Sequence, residues 1–293
     1  MGQTIVNGLL IGGVYALVTV GISLIHGVMK IVNFAQGDFL AVGMYVSLIF
    51  FATLPSGALP YWLLLPVALI MFLLGAAVFK LTVTRVVGKG DSNYILLTLG
   101  LSYLIQNLLQ LIFGPDYHSL NIPNYFRYGS FGLFDDNIIL MYPRLVAFIG
   151  ALIFVLLVNY FINSTDLGRA MRATSESSII AATLGIDTER VFTIAFALGI
   201  LFAGLAGLLL TPMFLISPQI GTTFSTVAMS AMVLGGLGNL KGAMLGGLLI
   251  GLVESLTSNY LSMDLAPVTI NAVLMLVLIF RPYGIFGEGG RKA

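Results

Sequence analysis

The sequence has few charged residues and no cysteine. Of its 293 residues, 13 are Lys or Arg and 12 are Asp or Glu, so charged residues make up 9% of the chain. Soluble domains carry about 25% charged residues, and so few would not cover the surface of a soluble fold of this length. The scarcity excludes a typical cytosolic enzyme, and the absence of a basic surface excludes a nucleic-acid-binding protein.

The residues and motifs that build metal, disulfide and nucleotide sites are absent or rare. Without cysteine there is no disulfide and no thiolate metal ligand, and His26 and His118 are too few for a histidine-rich metal site. The phosphate-binding pattern G-x-x-x-x-G-K-[ST] does not occur, and the stretch 235–242, which resembles it, lacks its spacing and its Ser or Thr. We therefore expect no metal, no resident cofactor and no catalysis on this chain.

Long runs of apolar residues make up most of the sequence. Hydrophobic residues make up 58% of the sequence, and its mean hydropathy is +1.03. A run of about 20 such residues crosses a bilayer as a helix, whereas a membrane β-barrel has alternating segments of about 10 residues. The pattern predicts an all-α, polytopic transmembrane helical bundle of about eight or nine spans. The candidate spans are 4–25, 39–54, 61–79, 95–113, 145–163, 191–211, 221–237, 242–260 and 265–280.

Two of the candidate spans, 39–54 and 221–237, are short and rich in small residues. Each is a full span, a half-helix or a re-entrant segment. The basic residues favour a full crossing for 221–237, because otherwise those near the C-terminus would lie outside the cell.

The basic residues also indicate the orientation. With nine crossings and segment 164–190 in the cytoplasm, only Arg127 and Arg144 of the 13 basic residues lie on the opposite side, as the positive-inside rule requires. We expect one transmembrane domain over 1–293, with an external connection at 114–144, an external N-terminus and a cytoplasmic C-terminus. No cleavable signal peptide is evident, because the N-terminus lacks a basic region and the first apolar run is too long.

The cytoplasmic segment 164–190 predicts a helix of about five turns. Asp166 is its expected N-cap and Gly185 its stop, and Asp187 is expected to start the following helix. The face of this helix carries mostly alanine, which favours close approach of another protein. The alternative is an interfacial helix that lies on lipid headgroups, with Arg169 and Arg172 at phosphates.

Four motifs resemble those of a known family. They are Gly168-Arg-Ala-Met-Arg-Ala followed by AATLGIDTER at 181–190, IVNFAQGD at 31–38, VLGGLGN at 233–239, and RPYGIFG at 281–287. The first resembles the cytoplasmic coupling loop of ABC importer permeases, and the set is most similar to the branched-chain amino acid permeases of the LivH type. That family often has His where this chain has Gln36.

The resemblance implies an ABC importer permease fold in a bacterial or archaeal inner membrane. Two ATPase subunits, which carry the ATP and Mg, would dock on 166–186, and a second related permease would share the pathway. An extracytoplasmic binding protein would deliver a branched-chain or similar apolar amino acid, which crosses by alternating access. The coupling residues implied by the motif are Gly168, Arg169, Arg172, Ala173, Ala182 and Gly185.

Other functions stay open at this point. The chain is alternatively an ion-coupled secondary carrier or channel that uses Glu254 and Asp38, since intramembrane carboxylates mark such pathways. It is also consistent with a membrane scaffold, or with an ABC permease for a related small solute such as urea or another amide.

Polar residues within or beside the spans are the candidates for the pathway. Glu254 is the one charge inside a span and must face protein or water. The polar stretch from Asn33 to Asp38 is either a turn, with Gly37 at the bend and Asp38 capping the next helix, or a broken helix at the pathway. The full set of candidates is Asn7, Asn33, Gln36, Asp38, Gln106, Asn107, Glu254 and Asn271.

The glycine-rich stretch from 235 to 251 predicts close helix–helix packing. Small residues recur there at every fourth position, and the same seam could contact a second membrane subunit. The residues concerned are Gly242, Gly246, Gly247, Gly251 and Ser255.

Overall fold

The computed structural model describes residues 1–53, 59–88, 90–133 and 138–287. The predicted span residue 54, part of the connection 114–144 (134–137) and the end of the predicted domain (288–293) lie outside them. The helices are α1 Gly2–Met29, α2 Gln36–Phe51, α3 Leu64–Leu81, α4 Asp91–Phe113, α5 Asn124–Arg127, α6 Tyr142–Ser164, α7 Asp166–Glu176, α8 Ser178–Thr183, α9 Thr188–Leu210, α10 Ile220–Gly235, α11 Leu240–Tyr260 and α12 Ala266–Phe280.

The all-α polytopic architecture is confirmed. Within the described residues, seven helices are long and apolar enough to cross a membrane, and α2 and α10 are shorter apolar helices. These nine helices correspond one to one with the nine predicted spans. The main hydrophobic core of the described residues joins them, with α1 and α9 at its centre, because most residues of these two helices are buried.

Two connections cover the ends of the bundle. The connection after α4 contains α5 and a hairpin of β1 Ser130–Leu133 and β2 Ile138–Met141, and His118 in it pairs with Ile216 by backbone hydrogen bonds. It lies where α1 begins, since Gln3 exchanges hydrogen bonds with Ile139. We call this the α1 end of the bundle. Helices α7 and α8 lie at the opposite end, where α6 finishes.

Helices α2 and α10 begin in the interior of the bundle. After α1 ends, the chain turns back and α2 starts at Gln36, whose side-chain amide donates to the carbonyl of Gly199, the twelfth of 23 residues in α9. Segment 211–219 turns back in the same way from the far end of α9, and α10 then starts against the first turn of α2. Both helices are therefore half-spanning, and their connections complete each crossing.

The same order of helices occurs twice, in opposite directions. A long buried helix, a half-spanning helix and two further helices make up α1 to α4 and again α9 to α12. Helix α9 runs antiparallel to α1, because Gly199 in its middle packs on Gly21 and Leu209 near its end packs on Gly150 in the first half of α6. The two sets interlock, with α1 packed on α11 and α9 packed on α3. This arrangement places the starts of α2 and α10 side by side.

The prediction of one continuous helix between Asp166 and Gly185 is wrong, because α7 and α8 are separate helices. Ser177 is extended, with φ −157° and ψ 110°, and it caps α8 by accepting a hydrogen bond from the N–H of Ile180. The N-cap of α7 is Thr165 rather than Asp166, since the Thr165 hydroxyl accepts from the N–H of Gly168. Gly185 has φ +86° and Asp187 caps α9, so both of these local predictions are confirmed.

Candidate functional site

The starts of α2 and α10 touch near the middle of the bundle. The backbone N–H of Gly37 donates to Ser225 Oγ at 2.8 Å, and this hydroxyl donates to the carbonyl of Phe34 at 3.1 Å. A side chain at Gly37 would overlap the Gly221 carbonyl, and one at Gly221 would overlap Asp38. Glycine at both positions thus lets the positive ends of two helix dipoles approach each other.

Asp38 lies in the first turn of α2 and does not cap a helix that begins at 39, which corrects the turn interpretation. Its side chain is 1% exposed. Ser102 Oγ donates to Asp38 Oδ2 at 2.5 Å, and Gln106 Nε2 donates to Asp38 Oδ1 at 2.9 Å. The cluster of Asp38, Ser102 and Gln106 therefore links α4, which is otherwise largely exposed, to the centre of the bundle.

The structure places three other candidates outside the cavities described below. Asn33 and Gln36 are fully buried and hydrogen bonded to each other and to backbone groups of Ala35 and Gly199. They shape the turn that leads into α2. Asn107 is exposed, but it donates to the carbonyl of Tyr103 on its own helix and faces away from Asp38.

A groove with a partly polar floor runs along α10. Thr222, Thr226, Met229 and Val233 line it at helical spacing, over about 16 Å, and Asp38 lies beside its start. We call this the side groove; its volume is about 410 Å³ and it is open at the side of the bundle. Its walls are formed by α4, with Ser102, Tyr103 and Gln106, and by α12, with Leu274.

Two further cavities share lining residues with this groove. The N-terminal cavity, of about 1120 Å³, opens at the α1 end between α1, α11 and segment 213–223. The connecting cavity, of about 390 Å³, shares Thr223 and Glu254 with it, and shares Thr226 with the side groove. Thr222 lines all three. The series therefore leads from the α1 end to the middle of the bundle.

Glu254 lies where the N-terminal and connecting cavities meet. Positions 247, 251 and 254 share one face of α11, and glycine at the first two brings that face close to α1. The Glu254 carboxylate lies beside the Tyr15 hydroxyl, and its buried Oε2 accepts no hydrogen bond from the described part of the chain. Asn7 lines the N-terminal cavity and Asn271 the connecting cavity.

The glycine-rich stretch packs within the chain. The members of the predicted seam lie against residues of α10 or of α1, without room for a larger side chain. Gly242 meets Gly235, Gly246 meets Ala231, Gly247 meets Ala16, Gly251 meets Gly12, and the hydroxyl of Ser255 donates to the carbonyl of Thr4.

Sequence reasoning missed the hydroxyl residues of these cavities. Thr222, Thr223 and Thr226 are exposed on a helix that is otherwise largely buried, and Ser102 and Tyr15 contact the two carboxylates. Single hydroxyls are common in apolar spans, so composition does not mark them. Ser102 and Gln106 are four residues apart, and so are Thr222 and Thr226. This spacing places each pair on one face of its helix, and it was the sequence signal that could have identified them.

The predicted coupling residues have different environments. Arg169 forms an exposed ion pair with Asp166, whereas Arg172 donates to the carbonyl of Ile162 at the end of α6. Gly168 is buried against the Ile162 backbone. Ala182 and Gly185 are exposed, and Ala173 is half-buried.

Bulky apolar side chains, rather than alanines, form the most exposed surface of this segment. Ile179 is 78% exposed, Ile180 61% and Leu184 75%. We call these three residues the α8 patch. A contiguous apolar surface rimmed by polar residues is typical of a protein-binding site. The described residues contain no cluster of three or more His, Asp or Glu that could hold a metal.

Comparisons with known proteins give matches over nearly the whole length of the chain, and these matches point to one family. The sequence model of one family, described as "Branched-chain amino acid transport system / permease component", matches residues 4–281. The high-affinity branched-chain amino acid transport system permease protein LivH of Salmonella typhimurium is 34% identical over 98% of this chain and 95% of its own.

More distant relatives extend the comparison. The corresponding protein BraD of Pseudomonas aeruginosa is 30% identical over 98% of this chain and 95% of its own. The Escherichia coli permease protein LivM is 27% identical over 93% of this chain and 67% of its own length. No solved structure matches.

Proposed function

Since the chain belongs to the branched-chain amino acid transport permease family, we propose that it is a membrane-spanning subunit of an ATP-driven importer for branched-chain or similar apolar amino acids. The chain itself performs no covalent chemistry. Separate ATPase subunits bind ATP and Mg, and their closing and opening drives alternating access of the pathway.

One observation carries this proposal: the three cavities share lining residues from the α1 end to the middle of the bundle and finish in a groove that is open at the side. If this groove faced hydrocarbon, the exposed hydroxyls of Thr222 and Thr226 would lie next to lipid, which is unfavourable. A second permease against α4, α10 and α12 would cover the groove and complete the pathway. The LivH and LivM relatives support two different permease chains.

The two ends of the bundle take different partners in this proposal. The α1 end faces outward in the inner membrane, so that a binding protein delivers the amino acid into the N-terminal cavity. The opposite end faces the cytoplasm, where the α8 patch inserts into a cleft of one ATPase. The position of α7 against α6, α1 and α9 supports transmission of movement from α8 to the central helices.

The experiment is reconstitution of the chain with a second permease, two ATPases and a binding protein encoded beside it. We expect uptake of radiolabelled leucine into proteoliposomes that requires ATP, the binding protein and this chain. The control uses proteoliposomes that lack this chain alone.

An ion-coupled carrier gives a different result in the same assay. It would take up leucine without ATP when a proton or sodium gradient is imposed, and it would not need the ATPases. A permease for a different small solute would show ATP-dependent uptake of urea or an amide in place of leucine. Either outcome would overturn the proposal.

A further inference from the structure

Glu254 is a half-buried carboxylate that forms no ion pair with the described part of the chain. No Lys, Arg or His lines the connecting cavity. In the N-terminal cavity the positive groups among the lining residues are Arg144, in the first turn of α6, and the α-amino group of Met1 at the start of the chain. The buried Oε2 of Glu254 has no hydrogen-bond partner in the described part of the chain. A carboxylate in this position is strongly unfavourable unless a cation or proton joins it.

The groups around Glu254 match a primary ammonium. An ammonium has three N–H donors and no acceptor. The Tyr15 hydroxyl lies beside the carboxylate, and Thr222 and Thr223 line the same cavity, so their hydroxyls offer additional acceptor oxygens. The tight packing of Gly247 on Ala16 keeps α1 and α11 close enough for both helices to reach one ligand. Tyr15 is further held by an edge-to-face contact with Phe224, with the ring centroids 6.1 Å apart.

The remaining walls of the connecting cavity suit the rest of an apolar amino acid. Val227, Ile270 and Met263 provide apolar contacts at its sides. The first turn of α10 lines the same cavity, so the positive end of its dipole faces a carboxylate bound there. A zwitterion with a branched apolar side chain therefore finds a complementary group for each of its three parts.

We propose that Glu254, with the Tyr15 and Thr223 hydroxyls, binds the ammonium group of the amino acid inside the permease, between the N-terminal cavity and the side groove. This inference rests on the proposed function and adds a substrate subsite to it. In the transport cycle, the amino acid leaves its binding protein, binds at this subsite and then moves along α10.

The test is equilibrium binding of radiolabelled leucine to the full permease–ATPase complex in nanodiscs, without the binding protein. Isoamylamine, which has the ammonium and the side chain, is expected to displace leucine, whereas isocaproate, which has the carboxylate and the side chain, is expected to displace it poorly. Glu254→Gln keeps the shape of the side chain and is expected to weaken leucine binding about tenfold or more and to abolish competition by isoamylamine. Asp116→Asn, an exposed change at the same end, is the matched control and is expected to bind as wild type.

Several outcomes would overturn the subsite. They are isocaproate outcompeting isoamylamine on the wild-type complex, equal binding by wild type and Glu254→Gln, and displacement of leucine by sodium chloride but not by isoamylamine. The wild-type competition decides the question even if the variant does not assemble. Absence of leucine binding in a complex that still shows ATP-dependent uptake would overturn the subsite alone, whereas absence of both would overturn the proposed function as well.

Discussion

The backbone N–H of Gly37 donates a 2.8 Å hydrogen bond to the side chain of Ser225. The two residues belong to α2 and α10, which start at this contact in the middle of the bundle and run toward opposite ends. Ser225 in turn donates to the carbonyl of Phe34, so one hydroxyl holds both sides of the turn. The contact joins the two inverted halves of the chain.

Substitution of Gly37 by Ala is expected to destabilise the protein. The new methyl group would overlap the backbone of Gly221 and Ser225, which cannot rotate away, and overpacking of this kind costs about 1–3 kcal/mol. The free energy of unfolding of the purified chain in detergent measures the effect. Gly100→Ala is the control, because a side chain there meets nothing within 4 Å. Equal stability of the two variants would contradict the tight contact.

The cluster around Asp38 predicts a coupled loss of stability. In Asp38→Asn, the new amide N–H would face a donor, either the Ser102 hydroxyl or the Gln106 amide, and one hydrogen bond would be lost. We expect the free energy of unfolding to fall by about 1–3 kcal/mol. Ser102→Ala alone is expected to cost about 1 kcal/mol. The double variant should lose less than the sum of the two, because the residues share one hydrogen bond. Asn107→Ala, on another face of α4, serves as the control, and additive losses would argue against the cluster.

The two arginines of α7 are expected to behave differently. Arg172→Ala removes the donor to the carbonyl of Ile162 and is expected to lower the free energy of unfolding by about 1 kcal/mol. Arg169→Ala breaks only an exposed ion pair, which contributes little to stability. Thermal unfolding of both variants measures the difference. The prediction fails if Arg169→Ala is the more destabilising change.

The α8 patch is expected to be required for ATPase binding. Ile179 and Ile180 are exposed, so the pair Ile179→Glu and Ile180→Glu should fold normally, yet it would place two charges in an apolar interface. We expect co-purification of the ATPases to fall about tenfold or more, since a buried unpaired charge costs several kcal/mol. Leu261→Glu makes the same change at the α1 end and is expected to retain the ATPases. Normal co-purification by the α8 variant would place the ATPase elsewhere.

Single cysteines report which residues line the pathway, because the chain has none of its own. A cysteine at Thr223, in the N-terminal cavity, is expected to react with a membrane-impermeant thiol reagent added outside. Ser23→Cys is the control, since Ser23 is fully buried and lines none of the three cavities, and it is expected to stay unmodified. Leucine is expected to slow the reaction at position 223. Labelling only from the cytoplasmic side would reverse the proposed orientation.

The spans were predictable from sequence because the thickness of the hydrocarbon requires about 20 consecutive apolar residues in a helix that crosses it. Such a run can be recognised in each span without knowledge of the rest of the fold. The apolar runs coincide with the observed helices to within a few residues at most ends. The cap at Asp187 and the stop at Gly185 were predictable for the same reason, since each depends on a few neighbouring residues. The break at Ser177 was missed because a serine is common among the small residues of a helix and does not by itself predict an end. In the structure its side chain accepts a hydrogen bond from the N–H of Ile180, and α8 begins there.

The candidate site was only partly predictable. The sequence alone identified Asp38, Gln106 and Glu254 as polar residues within or beside apolar spans, because each is unusual in its own neighbourhood. It did not indicate that Ser102 and Gln106 bind Asp38, or that Glu254 lies beside Tyr15 and lines one cavity with three threonines of α10. These contacts join residues far apart in the chain, and the close packing of glycines on facing helices sets their distances. The composition of each span thus determined that the protein lies in the membrane, whereas only the packing of the spans decided which polar groups are bonded inside the protein and which face a cavity.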